Sequence, residues 1–221
     1  MKAMILAAGL GTRLRPLTNT IPKPLLPIAG TPLIVWNLLL LKQHGFRDVI
    51  INLHHLGPMI EQALGNGSRY GLRIIYSREP AILGTGGGIK RAEPHFSGES
   101  VLVLNGDTLV ELDLGALCAF HQQREAVATL VLRKDPEAER WGLVEMDANN
   151  CIVRITGRGR DGLDAASLFH LEDSPHRRRD GGGDPRPDAG PEQARAVRGR
   201  LFPARHTEWL WAAAAYSRRH G

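Results

Sequence analysis

Residues 3–13 read Ala3-Met4-Ile5-Leu6-Ala7-Ala8-Gly9-Leu10-Gly11-Thr12-Arg13. An apolar run that ends in a glycine loop is the pattern of a strand buried on both faces that enters a turn. Glycines at the turn let successive N–H groups close around phosphate oxygens with no Cβ in the way. Arg15-Pro16-Leu17-Thr18 and Pro22-Lys23-Pro24 follow. Arg13 brings a fixed fork of donors suited to phosphate. Lys23 is a point charge on a segment that its two prolines stiffen. A dinucleotide fingerprint would be G-x-G-x-x-G running straight into a helix, and prolines stand here instead. Taken alone, Gly9 to Arg13 reads equally well as a tight turn with solvated basic residues.

Outward from this stretch, strands and helices alternate. Thr31-Pro32 has the form of a helix start, Thr as N-cap and Pro at the first position, and Gly45 stops that helix after His44. The helix is apolar nearly all round, which suits deep burial or a contact between subunits. Strands are expected at 48–53, 72–77, 100–104 and 127–133, and helices at 58–64, 89–94 and 114–124. Gly84 to Gly88 is expected to be a loop. Residues 142–146 and 151–155 form a hairpin pattern across Asp147-Ala148-Asn149-Asn150. This order predicts an α/β, Rossmann-like, mostly parallel sheet with helices on both faces.

Two further constellations lie on this frame. Backbone at Gly84 to Gly88 can come close to a flat ligand, and the plain alternative is a glycine-rich turn. Asn105-Gly106-Asp107 ends an apolar strand, where open α/β sheets hold ligands. Asp107 there can hold a hard cation against phosphate oxygens, although an isolated Asp after a strand is more often a turn or cap. His54 and His55 follow a strand as ordinary loop histidines or as site-lining groups.

Together these segments resemble the nucleotidyltransferases that activate sugar phosphates. The resemblance runs without a gap over residues 5–27. It continues through Ile82-Leu83-Gly84-Thr85-Gly86-Gly87-Gly88-Ile89, Val103-Leu104-Asn105-Gly106-Asp107 and Trp141-Gly142-Leu143-Val144-Glu145, about 160 residues in all. Within that family it is similar to enzymes that make UDP-N-acetylmuramate, GDP-mannose or GDP-heptose. It implies the nucleotide-diphospho-sugar transferase fold, and a nucleoside triphosphate and a sugar-1-phosphate as partners, giving nucleotide-sugar and pyrophosphate. It implies that Leu6, Ala7, Ala8, Gly9, Gly11, Thr12, Gly86, Gly87 and Asn105 bind the nucleotide. It assigns Arg13 to the leaving pyrophosphate, Lys23 to phosphate oxygens near the reacting centre, and Gly142 to the sugar. Asp107 is by the same resemblance one of two carboxylates that bind Mg²⁺. Members commonly carry a Glu-Lys-Pro element where this chain reads Ile155-Thr156-Gly157-Arg158. A glycosyltransferase using a nucleotide-sugar is a rival, but would not need Gly11-Thr12-Arg13 with Pro22-Lys23-Pro24. A binding or regulatory domain that has lost turnover is a second.

After Gly157 the composition changes. Residues 1–157 hold 16 Lys+Arg against 14 Asp+Glu, whereas 158–221 hold 12 Arg, no Lys and 9 acids. Of the net charge of +5, +2 lies in residues 1–157 and +3 in the much shorter tail, so the basic excess is concentrated in the tail and does not point to nucleic acid. No Ile follows Ile155, and Val197 is the one later Val. The chain therefore divides into a nucleotidyltransferase domain at 1–157, incomplete at its C-terminal side, and an Arg/Gly/Pro-rich tail at 158–221, expected to be disordered or out of frame. Trp209, Leu210 and Trp211 form an isolated apolar cluster in it. Asp180, Asp184 and Asp188 lie in a context ill suited to the tight octahedral geometry of Mg²⁺, so the chain as written is expected to be impaired in turnover. Cys118 and Cys151 have no metal-type spacing and fit reduced thiols. The run at the start is too short for a signal peptide and none reaches a membrane span. A cytoplasmic location is expected, and the oligomeric state is left open.

Overall fold

A computed structural model describes residues 1–133, 143–155, 158–159, 167–171 and 209–214. The chain divides into two compact units, Met1–Gly115 and Ala116–Gly221. This division falls at Gly115.

In the first unit, β1 (Lys2–Leu6) is followed by a short hairpin, β2 (Pro27–Ile28) and β3 (Thr31–Pro32), then α1 (Leu33–Gln43), β4 (Asp48–Leu53), α2 (Gly57–Leu64), β5 (Arg73–Arg78), α3 (Gly84–Ala92) and β6 (Val101–Asn105). β1, β4, β5 and β6 form a parallel sheet of order β5-β4-β1-β6. Residues of both parities on the inner strands are buried, Met4 and Ile50 on one face and Ala3, Ile5, Val49 and Ile51 on the other. Alternate side chains of a strand point to opposite faces, so both faces are covered. Met4 and Ile50 pack with Ala92 and Phe96, next to Ile89 of α3. Ile34, Leu38 and Leu41 of α1 are fully buried, each contributing about 1.5–3 kcal/mol by leaving water.

Two local readings are corrected. Thr31-Pro32 does not start the helix. It pairs with Pro27–Ile28 across Ala29 and Gly30, both at positive φ, 50° and 78°, as a two-residue hairpin turn of the primed kind requires. The helix begins at Leu33 with Pro32 as its N-cap. The glycines 84–88 are not a loop before a helix but the first half of α3 itself. The remaining strands and helices lie within a residue or two of expectation, with β4 at both its expected ends.

The second unit carries most of α4 (Leu114–Gln123) and then β7 (Ala128–Arg133), β8 (Leu143–Met146), β9 (Ile152–Ile155), β10 (Arg158–Gly159), β11 (Ser167–Leu171) and β12 (Trp209–Ala214). Its sheet, order β10-β9-β8-β11-β7-β12, is antiparallel in every pairing. The β8–β9 hairpin stands where expected. Asp147 Oδ1 accepts the N–H groups of Asn149 (2.8 Å) and Cys151 (2.9 Å) and so shapes the turn. Leu132, Val144 and Met146 form its core. Of the residues after 157, those described are strands β10, β11 and β12, and β12 places Trp209-Leu210-Trp211 in register with β7. The rest of that segment lies outside the described residues. Cys118 and Cys151 are not joined in a disulfide. Among the described residues no helix is long and apolar enough to cross a membrane.

Candidate functional site

From β1 the chain runs through β4 and β5 on one side, then returns to β6 on the other side of β1. The carboxyl ends of β1 and β6 therefore flank a switch in strand order, the place where doubly wound sheets open a crevice. The loop after β1 carries Ala7 to Thr12; β6 ends at Asn105, and the loop after it carries Gly106 and Asp107. The Gly106 N–H donates to Leu6 O at 2.8 Å. A Cβ on Gly106 would stand 2.7 Å from that same oxygen, so this close approach needs glycine.

The two loops also meet through side chains. Lys23 Nζ donates to Asp107 Oδ2 in an ion pair. Both groups remain partly wet, 27% and 39% exposed. They are thus free to exchange partners when an anion or a cation arrives. Arg13, in the single turn Thr12–Leu14, is exposed and forms no ion pair or hydrogen bond among the described residues. Gly11 stands at φ 63°, and a Cβ there would lie 2.9 Å from Thr18 Cγ2. Both facts fit its position in the glycine loop.

Four polar side chains buried behind these loops hold them. Thr18 Oγ1 donates to Gly11 O (2.8 Å), and His55 Nε2 donates to Thr18 O (3.0 Å). Asn37 of α1 donates from Nδ2 to Asn105 O (3.0 Å) and fixes the end of β6. Asn52 at the end of β4 accepts the Ala7 N–H at Oδ1 (2.8 Å). Its Nδ2 donates to Glu79 Oε1 (2.7 Å). Glu79 Oε2 accepts the Leu83 N–H (3.1 Å) at the start of α3. The backbone of Glu79 is held as well, N–H to Leu53 O (2.7 Å) and O from His54 Nδ1 (2.9 Å). Both histidines are therefore donors to loop carbonyls.

The structure brings Leu6, Ala7, Ala8, Gly9, Gly11, Thr12, Lys23, Asn105 and Asp107 to adjoining strand ends. The Ala7 amide is already committed to Asn52, so the open amides of this loop lie beyond it. Gly9 is exposed, with open space where a Cβ would go, and so is Gly86 on α3. Gly87 faces Leu83, whose Cβ is 2.8 Å from an added Cβ. Leu10, Ile82 and Leu83 stay exposed in these two segments. Gly142 lies outside the described residues. Sequence reading missed Asn37, Asn52, Thr18 and Glu79. The first two carried a signal, since each interrupts an apolar run, and a polar group in a core requires a partner. Among the described residues no three His, Cys, Asp or Glu side chains are grouped as a metal cage.

Known proteins resemble this chain over the same region. The family model described as nucleotidyl transferase matches residues 2–157. N-acetylmuramate alpha-1-phosphate uridylyltransferase of Neisseria meningitidis serogroup B is 58% identical over 117 residues, covering 52% of this chain and 51% of that protein. Mannose-1-phosphate guanylyltransferase of Mycobacterium tuberculosis is 36% identical over 159 residues, covering 72% and 44%. The crystal structure of HddC from Yersinia pseudotuberculosis complexed with GMP-PN superposes with a TM-score of 0.58 at 27% identity, covering 79% of this chain and 80% of that one. The chain spans about half the length of the curated relatives it matches.

Proposed function

This chain belongs to the nucleotidyl transferase family, and from that premise we propose that it transfers a nucleoside monophosphate from a triphosphate to a sugar-1-phosphate, releasing pyrophosphate. One observation carries the reading: the glycine loop after β1 and Asp107 after β6 meet at the strand-order switch, linked by Lys23. The relatives differ in base, uridylyl in one and guanylyl in the other, so the base and sugar stay unassigned.

In this reading the glycine loop receives phosphate oxygens on its open N–H groups from Gly9 onward. Arg13, unpaired among the described residues and exposed, takes the leaving pyrophosphate. Lys23 leaves Asp107 for the phosphate at the reacting centre, which brings its charge to bear where negative charge grows. The phosphate monoester of the sugar is already a nucleophile, so the protein's contribution is to hold two anions in line. Gly86, Gly87 and the apolar Leu10, Ile82 and Leu83 offer the base a flat surface. A magnesium ion would suit a hard oxygen donor such as the Asp107 carboxylate, which would hold it. Bound there, it would offset charge on the phosphate oxygens. On this reading the chain works in the cytoplasm, where nucleoside triphosphates are available.

The test is calorimetry on the full chain with UTP, GTP and dTTP in Mg²⁺. At least one triphosphate should bind, and Arg13→Ala and Lys23→Ala should each weaken it about tenfold or more, the effect of losing a charge-assisted hydrogen bond. Unchanged affinity in both variants removes the phosphate assignment. Binding without pyrophosphate release would favour the second reading, a nucleotide-binding domain without turnover.

A further inference from the structure

The phosphate loop leaves β1 and the glycine helix follows β5, and β4 lies between those two strands. No ladder hydrogen bond sets the spacing between the two segments. Among the described residues, the path across the gap runs through two buried side chains, Asn52 (3% exposed) and Glu79 (5% exposed). The direction of each bond follows from chemistry. The backbone N–H groups of Ala7 and Leu83 can only donate, so both ends of the path must be acceptors. Asn52 therefore turns its oxygen to Ala7 and its amide nitrogen to Glu79, and Glu79 turns its second oxygen to Leu83. Gly88 seals the pair, because a Cβ there would lie 2.7 Å from both Asn52 Nδ2 and Glu79 Oε1.

We propose that Asn52 and Glu79 are positioning residues that set the register of the phosphate loop against the base-binding helix without touching the nucleotide. The proposal rests on the nucleotide reading given above. Its chemistry makes a distinctive demand on variants. In Glu79→Gln one end of the new amide must present N–H groups to a donor, either Asn52 Nδ2 or the Leu83 N–H. Adding Asn52→Asp repairs this. The new carboxylate at position 52 then accepts from Ala7 and from the new amide at position 79, whose oxygen accepts from Leu83. Every bond returns and the formal charge of the pair is unchanged.

Amide hydrogen exchange and calorimetry with UTP, GTP and dTTP, both on the full chain, test the proposal. Glu79→Gln should speed exchange at both Ala7 and Leu83 and weaken binding of the triphosphates by a common factor of about ten, as one buried hydrogen bond represents. The double variant should restore exchange and affinity together. Unchanged exchange at Ala7 in Glu79→Gln overturns the coupling. A change of base preference in Glu79→Gln that the double variant does not reverse overturns it too, since the carboxylate would then be touching the base. If Glu79→Gln does not fold, the double variant decides alone by folding and binding as the wild type or failing to. A wild-type chain that binds none of the three triphosphates removes the nucleotide reading, while the exchange data still judge the pair.

Discussion

Gly88 and Gly9 both belong to the proposed site, yet a methyl group added to each meets different surroundings. At Gly88 it would enter the space of two buried polar atoms at 2.7 Å. Gly88→Ala should therefore cost about 1–3 kcal/mol, the usual range for overpacking, seen as a lowered midpoint in thermal unfolding. At Gly9 nothing lies within 4 Å. Gly9→Ala should stay within about 0.5 kcal/mol of wild type and yet lose triphosphate affinity by calorimetry, because on the proposed reading the space it fills is the ligand's. A Gly9→Ala variant with full affinity would move the phosphates elsewhere. Asp107 gives a sign test. Its charge occupies Lys23 and repels a polyanion. With metal chelated, Asp107→Asn should bind triphosphate more tightly than wild type, and in Mg²⁺ less tightly. Its stability should change by no more than about 1 kcal/mol, since the pair is exposed.

At the scale of elements, Tyr76 of β5 donates its hydroxyl to Gly65 O at 2.6 Å, at the end of α2. Burial, with the Glu61 charge adding to it, pushes its pKa up to about 12 from 10.0. The folded protein thus favours the neutral phenol more than the unfolded chain does. That stability is full below pH 10 and is lost as pH rises towards 12. Tyr76→Phe should flatten the fall of the unfolding midpoint over that window; an equal fall in both proteins sinks the assignment. The elements themselves were legible where chemistry was local. Asp-Val-Ile-Ile-Asn-Leu could only be a buried strand, and β4 follows it from end to end. The glycines of α3 were not legible as helix, because glycine is about 1 kcal/mol worse than alanine there. The helix is imposed from outside, by Glu79 capping Leu83 and by Gly88 fitting against Asn52. Likewise Thr31-Pro32 has the chemistry of a helix start, but pairing with Pro27–Ile28 prevails. In the site, the charged and glycine positions could be read from motifs. Asn52 showed only that a buried polar group needed a partner; which partner it takes, and the role of Glu79, depend on residues distant in sequence that the sheet brings together.

For the whole molecule, the two units set the terms. The described part of the site, Gly9 to Asp107, lies within the first unit. A triphosphate held there at about a hundred times its dissociation constant should stabilise the fold by about 2.7 kcal/mol, and thermal shift measures this directly. Turnover is a separate matter. The acids of the Arg-rich segment stand in a sequence context ill suited to a second metal carboxylate, so Mg²⁺-dependent pyrophosphate release should fall well below the ordinary ~1–10³ per second, with Asp107→Asn as the blank. Release in that range would show that the segment is functional. The strand order also has a consequence for how the molecule is born. β1 is made before β4 and β6 but lies between them, with Ala3 beside Val49 and Lys2 beside Val101. Its second edge stays open until Asn105 has left the ribosome. Such distant pairings close slowly, because the chain between must first surrender its freedom. The crevice proposed for the nucleotide and the last join of the sheet therefore come into being together, and on that proposal triphosphate binding by a growing chain would mark the moment its parallel sheet is complete.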